Sequence, residues 1–159
     1  MENLRKYRIA VVQMDSRNDK GANVKYACQC IDEAAANGAK LISFPELYRI
    51  MTLEGAQVIF TPASFTMATG KEHWECILRT RAIENACYIV AADQIGQKHE
   101  FLAYGHSMVI DPWGTIIAKA GDEAGMFYAD IDLDYEDKIR QKVPVLKNRR
   151  ADIYEVKRR

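Results

Sequence analysis

Apolar residues change their spacing several times along the chain, and each change predicts an element. Arg8-Ile-Ala-Val-Val-Gln-Met14 is a short β-branched run and predicts a buried strand. Asp15 to Asn18 is polar and turn-like. Val24, Ala27, Cys28, Ile31, Ala34 and Ala35 then recur at helical spacing, predicting an amphipathic helix over Asn23 to Asn37 that stops at Gly38. Ala39 to Phe44 predicts a second strand, ended by Pro45. Glu46 to Gly55 predicts a helix with Leu47, Ile50, Met51 and Leu53 on its apolar side. Gln57 to Thr61 predicts a third strand, Pro62 to Gly70 a small-residue loop, and Lys71 to Asn85 a longer helix.

Cys87 to Ala92 predicts a fourth strand, and Gly96 to Glu100 a polar loop. Tyr104 to Asp111 and Thr115 to Lys119 predict a hairpin around Asp111-Pro-Trp-Gly114. Met126 to Asp132 predicts a last strand, and Asp134 to Lys142 a short helix with Asp134 as its cap. Strands alternate with helices at first, and an antiparallel run follows. The fold class is α/β with a mixed sheet. A length of 159 residues with no linker or repeat indicates one domain.

Charge narrows the function classes. Acidic and basic residues balance at 22 each, which argues against a nucleic-acid or anionic-membrane partner. Lys157, Arg158 and Arg159 read as a solvated tail. No run approaches the ~18 apolar residues of a membrane span. Met1 to Arg8 has no signal-peptide pattern, so a cytoplasmic protein is the expectation. Cys28, Cys30, Cys76 and Cys87 form no CxxC pair, and His73, His99 and His106 have no ligand spacing. No metal site is expected, and the thiols read as reduced.

Several strings, in order, resemble the nitrilase superfamily of carbon–nitrogen hydrolases, and its amidase-like branch in particular. They are Ile9-Ala-Val-Val-Gln-Met14, Gly38-Ala-Lys-Leu-Ile-Ser-Phe-Pro-Glu46, Gly55-Ala-Gln-Val-Ile-Phe60, Pro62-Ala-Ser-Phe65, His73-Trp74, Arg79-Thr-Arg-Ala-Ile-Glu-Asn85, Gly105-His-Ser-Met-Val-Ile-Asp-Pro-Trp-Gly114 and Pro144 to Tyr154. The resemblance implies an α-β-β-α sandwich that hydrolyses small amides or nitriles. Its chemistry uses a cysteine nucleophile, a glutamate base and a lysine at the oxyanion, without metal or organic cofactor. Pairing of subunits through the helix after the nucleophile and through the C-terminal tail is also implied, so a homo-oligomer is expected.

In the amidase-like relatives Phe-Pro-Glu occurs twice. One copy carries the base; the other follows the nucleophile in Cys-Tyr-Asp-x-Arg-Phe-Pro-Glu. This chain has a single copy, Phe44-Pro45-Glu46, which matches the first context on its left and the second on its right. The expectation is a single domain over residues 1–159 with an internal deletion joined at about 44–46, lacking the catalytic lysine and cysteine. Aligned from the right, the nucleophile position falls on Ala39, with Leu41 and Ser43 in place of the Asp and Arg.

Glu46 is then the remnant general base, and a glutamate at a helix start is also favourable to the helix dipole. Pro62, Ala63, Ser64 and Phe65 match the strip that lines the substrate pocket. Cys76, three residues after His73, lacks an orienting third group; Cys87, Lys71 and His106 read as structural. Three functions compete: a silent hydrolase remnant, an active amidohydrolase with an unrecognised site, and an interaction module pairing with itself or a full-length relative.

Overall fold

A computed structural model describes residues 6–13, 19, 22, 25, 26, 29, 33 and 48–153. The predicted mixed α/β architecture is present. Strand β1 (Lys6–Gln13) pairs antiparallel with β8 (Gly125–Asp132), from Lys6 opposite Asp132 to Gln13 opposite Gly125. Ala22, Lys25, Tyr26, Gln29 and Glu33 are helical and exposed. Their spacing places them on one helix face, the polar side of the predicted amphipathic helix. The Asp19 carboxylate accepts from the Ala22 amide at 2.9 Å, so this helix starts slightly earlier than predicted.

Helix α1 (Tyr48–Leu53) ends at Gly55, whose φ of 104° only glycine adopts readily. The Ala56 amide then donates to Met51 O at 2.8 Å, closing the last turn. A second sheet follows, with strand order β2-β3-β6-β7. Its strands are β2 (Val58–Ala63), β3 (Tyr88–Asp93), β6 (Met108–Ile110) and β7 (Ile116–Lys119). β2 and β3 are parallel, and the other pairs antiparallel.

The β2–β3 crossover runs through α2 (Met67–Thr69), a π-helical turn (Gly70–Trp74) and α3 (Glu75–Asn85). The helical stretch therefore begins inside the predicted 62–70 loop. Pro62 is tolerated in β2 because β2 is an edge strand among the described residues.

β3 is buried on both faces. Ile89 and Ala91 join Trp74, Leu78 and Ala82 in a core under α3, with Met108 and Ile110 of β6. Tyr88 and Val90 point the other way and pack on Ile9, Ala129 and Ile131 of the β1–β8 sheet, with Val109 of β6. The alternation follows from the two-residue strand period. Among the described residues the layers are helix, sheet, sheet. Each large apolar side chain removed from water contributes about 1.5–3 kcal/mol. Tyr88 also donates its hydroxyl to Asp132 O at 3.1 Å, pinning the two sheets.

Three local expectations change. The predicted Gly96 to Glu100 loop is part of a small hairpin, β4 (Ile95–Gln97) against β5 (Leu102–Tyr104). The predicted strand from Tyr104 to Asp111 is broken, because Gly105 and His106 take φ values of 69° and 55°. The cap of α4 (Leu133–Lys142) is Asp132, which accepts from the Asp134 and Tyr135 amides; Asp134 lies in the first turn. The Asp111–Gly114 turn forms as expected, with Asp111 Oδ1 accepting from the Trp113 and Thr115 amides.

Candidate functional site

Pro62 and Ala63 are the last residues of β2, and Ser64 and Phe65 continue toward α2. Pro62 and Ser64 are exposed; Ala63 and Phe65 are half-buried. The Phe65 ring lies 4.8 Å from the Trp74 ring at 49°, which ties the strip to the helical layer. The Trp74 indole donates to His106 O at 3.1 Å. Tyr104 N donates to Phe65 O at 2.9 Å, tying the strip to β5. Gly70 makes this closeness possible, since a Cβ there would stand 2.2 Å from Tyr104 Cγ.

The residue that organises the strip is Asp93, at the end of β3. It is 2% exposed, and its Oδ1 accepts from the Phe65 amide at 2.9 Å. Ser107 is fully buried beside it, accepting from Asp93 N at 3.0 Å and donating to Asp93 O at 3.1 Å. Burial pushes the Asp93 carboxyl up to about 6, against the opposing pull of the Phe65, Gln94 and Gly105 amides and the His106 charge. Neither Asp93 nor Ser107 is among the sequence-derived candidates. The available signal was an acidic residue ending the apolar run Tyr88 to Ala92.

The other candidates are scattered. Glu46, Ala39, Leu41, Ser43, Cys28 and Cys30 lie outside the described residues. Cys87 is buried, and burial pushes its thiol up to about 12, which leaves it protonated and unreactive. Cys76 is exposed and opens into a groove shared with Lys71, Glu75, Arg79 and Tyr104. No hydrogen bond joins the His73 and Cys76 side chains among the described residues. His106 is held by its Nδ1 contact to Tyr104 O at 2.8 Å and by stacking on Tyr104 at 4.2 Å, as a structural histidine is. Among the described residues no group of three or more His, Cys, Asp or Glu could hold a metal ion. No helix there is long and apolar enough to cross a membrane. The described residues therefore hold the Pro62–Phe65 strip in place but gather no nucleophile–base–cation set.

Comparison with known proteins matches the carbon-nitrogen hydrolase family in two stretches, residues 8–48 and 43–141. The chain is 48% identical over 112 residues to the deaminated glutathione amidase of Bos taurus, covering 70% of this chain and 34% of that one. It is 44% identical over 116 residues to an omega-amidase of Danio rerio, covering 72% and 42% respectively. The crystal structure of the C. elegans NitFhit protein superposes with a TM-score of 0.66 at 48% identity, covering 70% of this chain and 27% of that one. The chain thus spans well under half the length of these relatives. On its matched residues, its mixed sheet and its structural neighbours, the chain belongs to the carbon-nitrogen hydrolase family of the nitrilase superfamily.

Proposed function

We propose that this chain is a catalytically silent carbon–nitrogen hydrolase, descended from an amidase acting on small amides or nitriles by loss of its internal segment. One observation carries the proposal. The two matched stretches overlap at residues 43–48, around the lone Phe44-Pro45-Glu46. Where relatives have one such tripeptide at each side of the missing interval, this chain has one for both. That interval is where the family keeps its lysine and its nucleophile.

The described thiols support the same conclusion. The Cys87 thiol is held protonated by burial, and Cys76 opens into a groove whose lining includes none of Pro62, Ala63, Ser64 and Phe65. Glu46 remains as the family's base without a partner to deprotonate. The test is ammonia release from a small ω-amide, a nitrile and an N-carbamoyl compound. No release above the blank is expected; robust turnover abolished by Glu46→Gln contradicts the proposal.

A second role, pairing with itself or with a full-length relative, is supported by the outer face of α3. Ile77 and Ile83 are 42% and 49% exposed there, and Ile83 packs against Gly114 next to Trp113, itself 47% exposed. Such adjoining apolar surface favours association. Sedimentation at micromolar concentration should give a dimer that Ile83→Asp dissociates. A monodisperse monomer counts against this role.

A further inference from the structure

We infer that Asp93 is a proton-operated clasp: as a neutral carboxylic acid it holds the Ser64–Phe65 turn against the end of β3, and release of its proton to water loosens that turn. The inference goes beyond the proposed function, because it concerns how the strip is held and not whether substrate turns over.

Asp93 Oδ1 is engaged by the Phe65 amide, but Oδ2 is buried with no hydrogen-bond partner among the described residues. The Gln94 and Gly105 amides lie close enough to favour the ionised form, yet their own hydrogen bonds go to Ala63 O at 3.1 Å and Gln94 O at 2.9 Å. A carboxylate shares its charge between both oxygens, so ionisation would place charge on a buried atom that no hydrogen bond from the described residues compensates. A proton removes that charge.

The three segments meeting here are the β2–α2 turn, the β3–β4 junction and the β5–β6 break. All three contact Asp93 through backbone groups or the Ser107 hydroxyl. His106, in the β5–β6 break, is the titratable side chain that faces Asp93; Tyr104 stacks on it, and Asp122 lies 3.5 Å from its Nε2. Among the described residues no lysine or arginine forms an ion pair with Asp93. The lowest-cost route to a solvated carboxylate is to move the turn, where Ser64 is exposed, since residues 93–96 and 105–107 of the other two segments are buried or half-buried.

The sign follows from the raised value. Burial lifts the carboxyl from 3.8 to about 6, so the closed form binds the proton more tightly than the open form. Opening becomes easier as pH rises through that window and levels off above about 6. The two values lie about two units apart and each unit is tenfold, so the opening equilibrium should rise by about 100-fold.

Trp74 reports the turn, because its ring touches Phe65. The chain has two tryptophans, so Trp113→Phe isolates its emission. Between about pH 4.5 and pH 8, Trp74 emission should shift to the red with a midpoint near 6. Asp93→Asn should abolish the transition, since an amide cannot ionise, and His106→Asn should keep it. A second measurement needs no substitution: protection of the Phe65 amide from hydrogen exchange, corrected for intrinsic base catalysis, should fall over the same range. Absence of the transition, its survival in Asp93→Asn, its loss in His106→Asn, or constant Phe65 protection would each overturn the inference.

Discussion

At the start of β3, Glu136 of α4 is fully buried, yet a cation is paired with it. Arg140 Nη2 lies 2.6 Å from Oε1, and Gln57 Nε2 donates to Oε2 at 3.1 Å. Arg140 also donates to Ala86 O at 3.0 Å and Ala56 O at 3.3 Å, so one cation ties α4 to the starts of both parallel strands. At the far end of β3, Asp93 is almost as buried, has one engaged oxygen and, among the described residues, has no lysine or arginine paired with it. Burial is nearly equal; compensation is not. A buried carboxyl paired with a guanidinium fixes the fold, whereas one without such a partner stays sensitive to protons.

The largest expected effect is at the compensated end. Arg140→Ala leaves Glu136 buried without its cation and two carbonyls without their donor, and should cost about 3–5 kcal/mol in urea unfolding. A loss below about 1 kcal/mol, the size of a surface pair, would erase the contrast.

Asp93→Asn should act in the opposite direction. The raised carboxyl lowers stability as pH climbs from about 4 to about 6, and the cost persists above. The asparagine variant should therefore be more stable than the parent near pH 7.5, by up to about 3 kcal/mol, and similar to it near pH 4. Parallel stability–pH curves for the two would contradict this.

Gly70→Ala probes the packing that closes the Asp93 end. Its Cβ would fall 2.2 Å from the Tyr104 ring, forcing the π turn or β5 to shift at about 1–3 kcal/mol. Cys76→Ser should be the smallest change, within about 0.5 kcal/mol in thermal unfolding, because the side chain is exposed.

Much of this fold was legible in the sequence because the patterns were local. Gly55 stops α1, Asp111 to Gly114 turns a hairpin, and the Tyr88 to Ala92 run is a strand buried on both faces. The β4–β5 hairpin was not legible. Its strands are three residues long, too short for alternation to register, and Gly96 weakens the strand signal further. The break at Gly105–His106 was hidden because a histidine at positive φ is uncommon and is held by tertiary contacts, the Tyr104 stack and the Trp74 donor. Asp132 and Asp134 were equally good caps by residue type; β8 runs on to Asp132, which makes it the last extended residue and hence the cap.

The candidate site was legible only in part. The Pro62–Phe65 strip was a candidate by resemblance to the family, but nothing in the sequence marked what holds it. Asp93 reaches Phe65 across 28 residues of chain, and nothing local marks such a contact. Cys87 illustrates the reverse: its apolar neighbours already indicated a buried, inert thiol, and its raised value follows from that burial.

The most direct measurement is ammonia release from a small ω-amide, run beside a variant in which a relative's intervening segment is restored between the two halves of the Phe44-Pro45-Glu46 junction. The chain as it stands should release none, and the restored variant should turn over. Turnover by the unmodified chain, lost on Glu46→Gln, would contradict the assignment of a silent hydrolase.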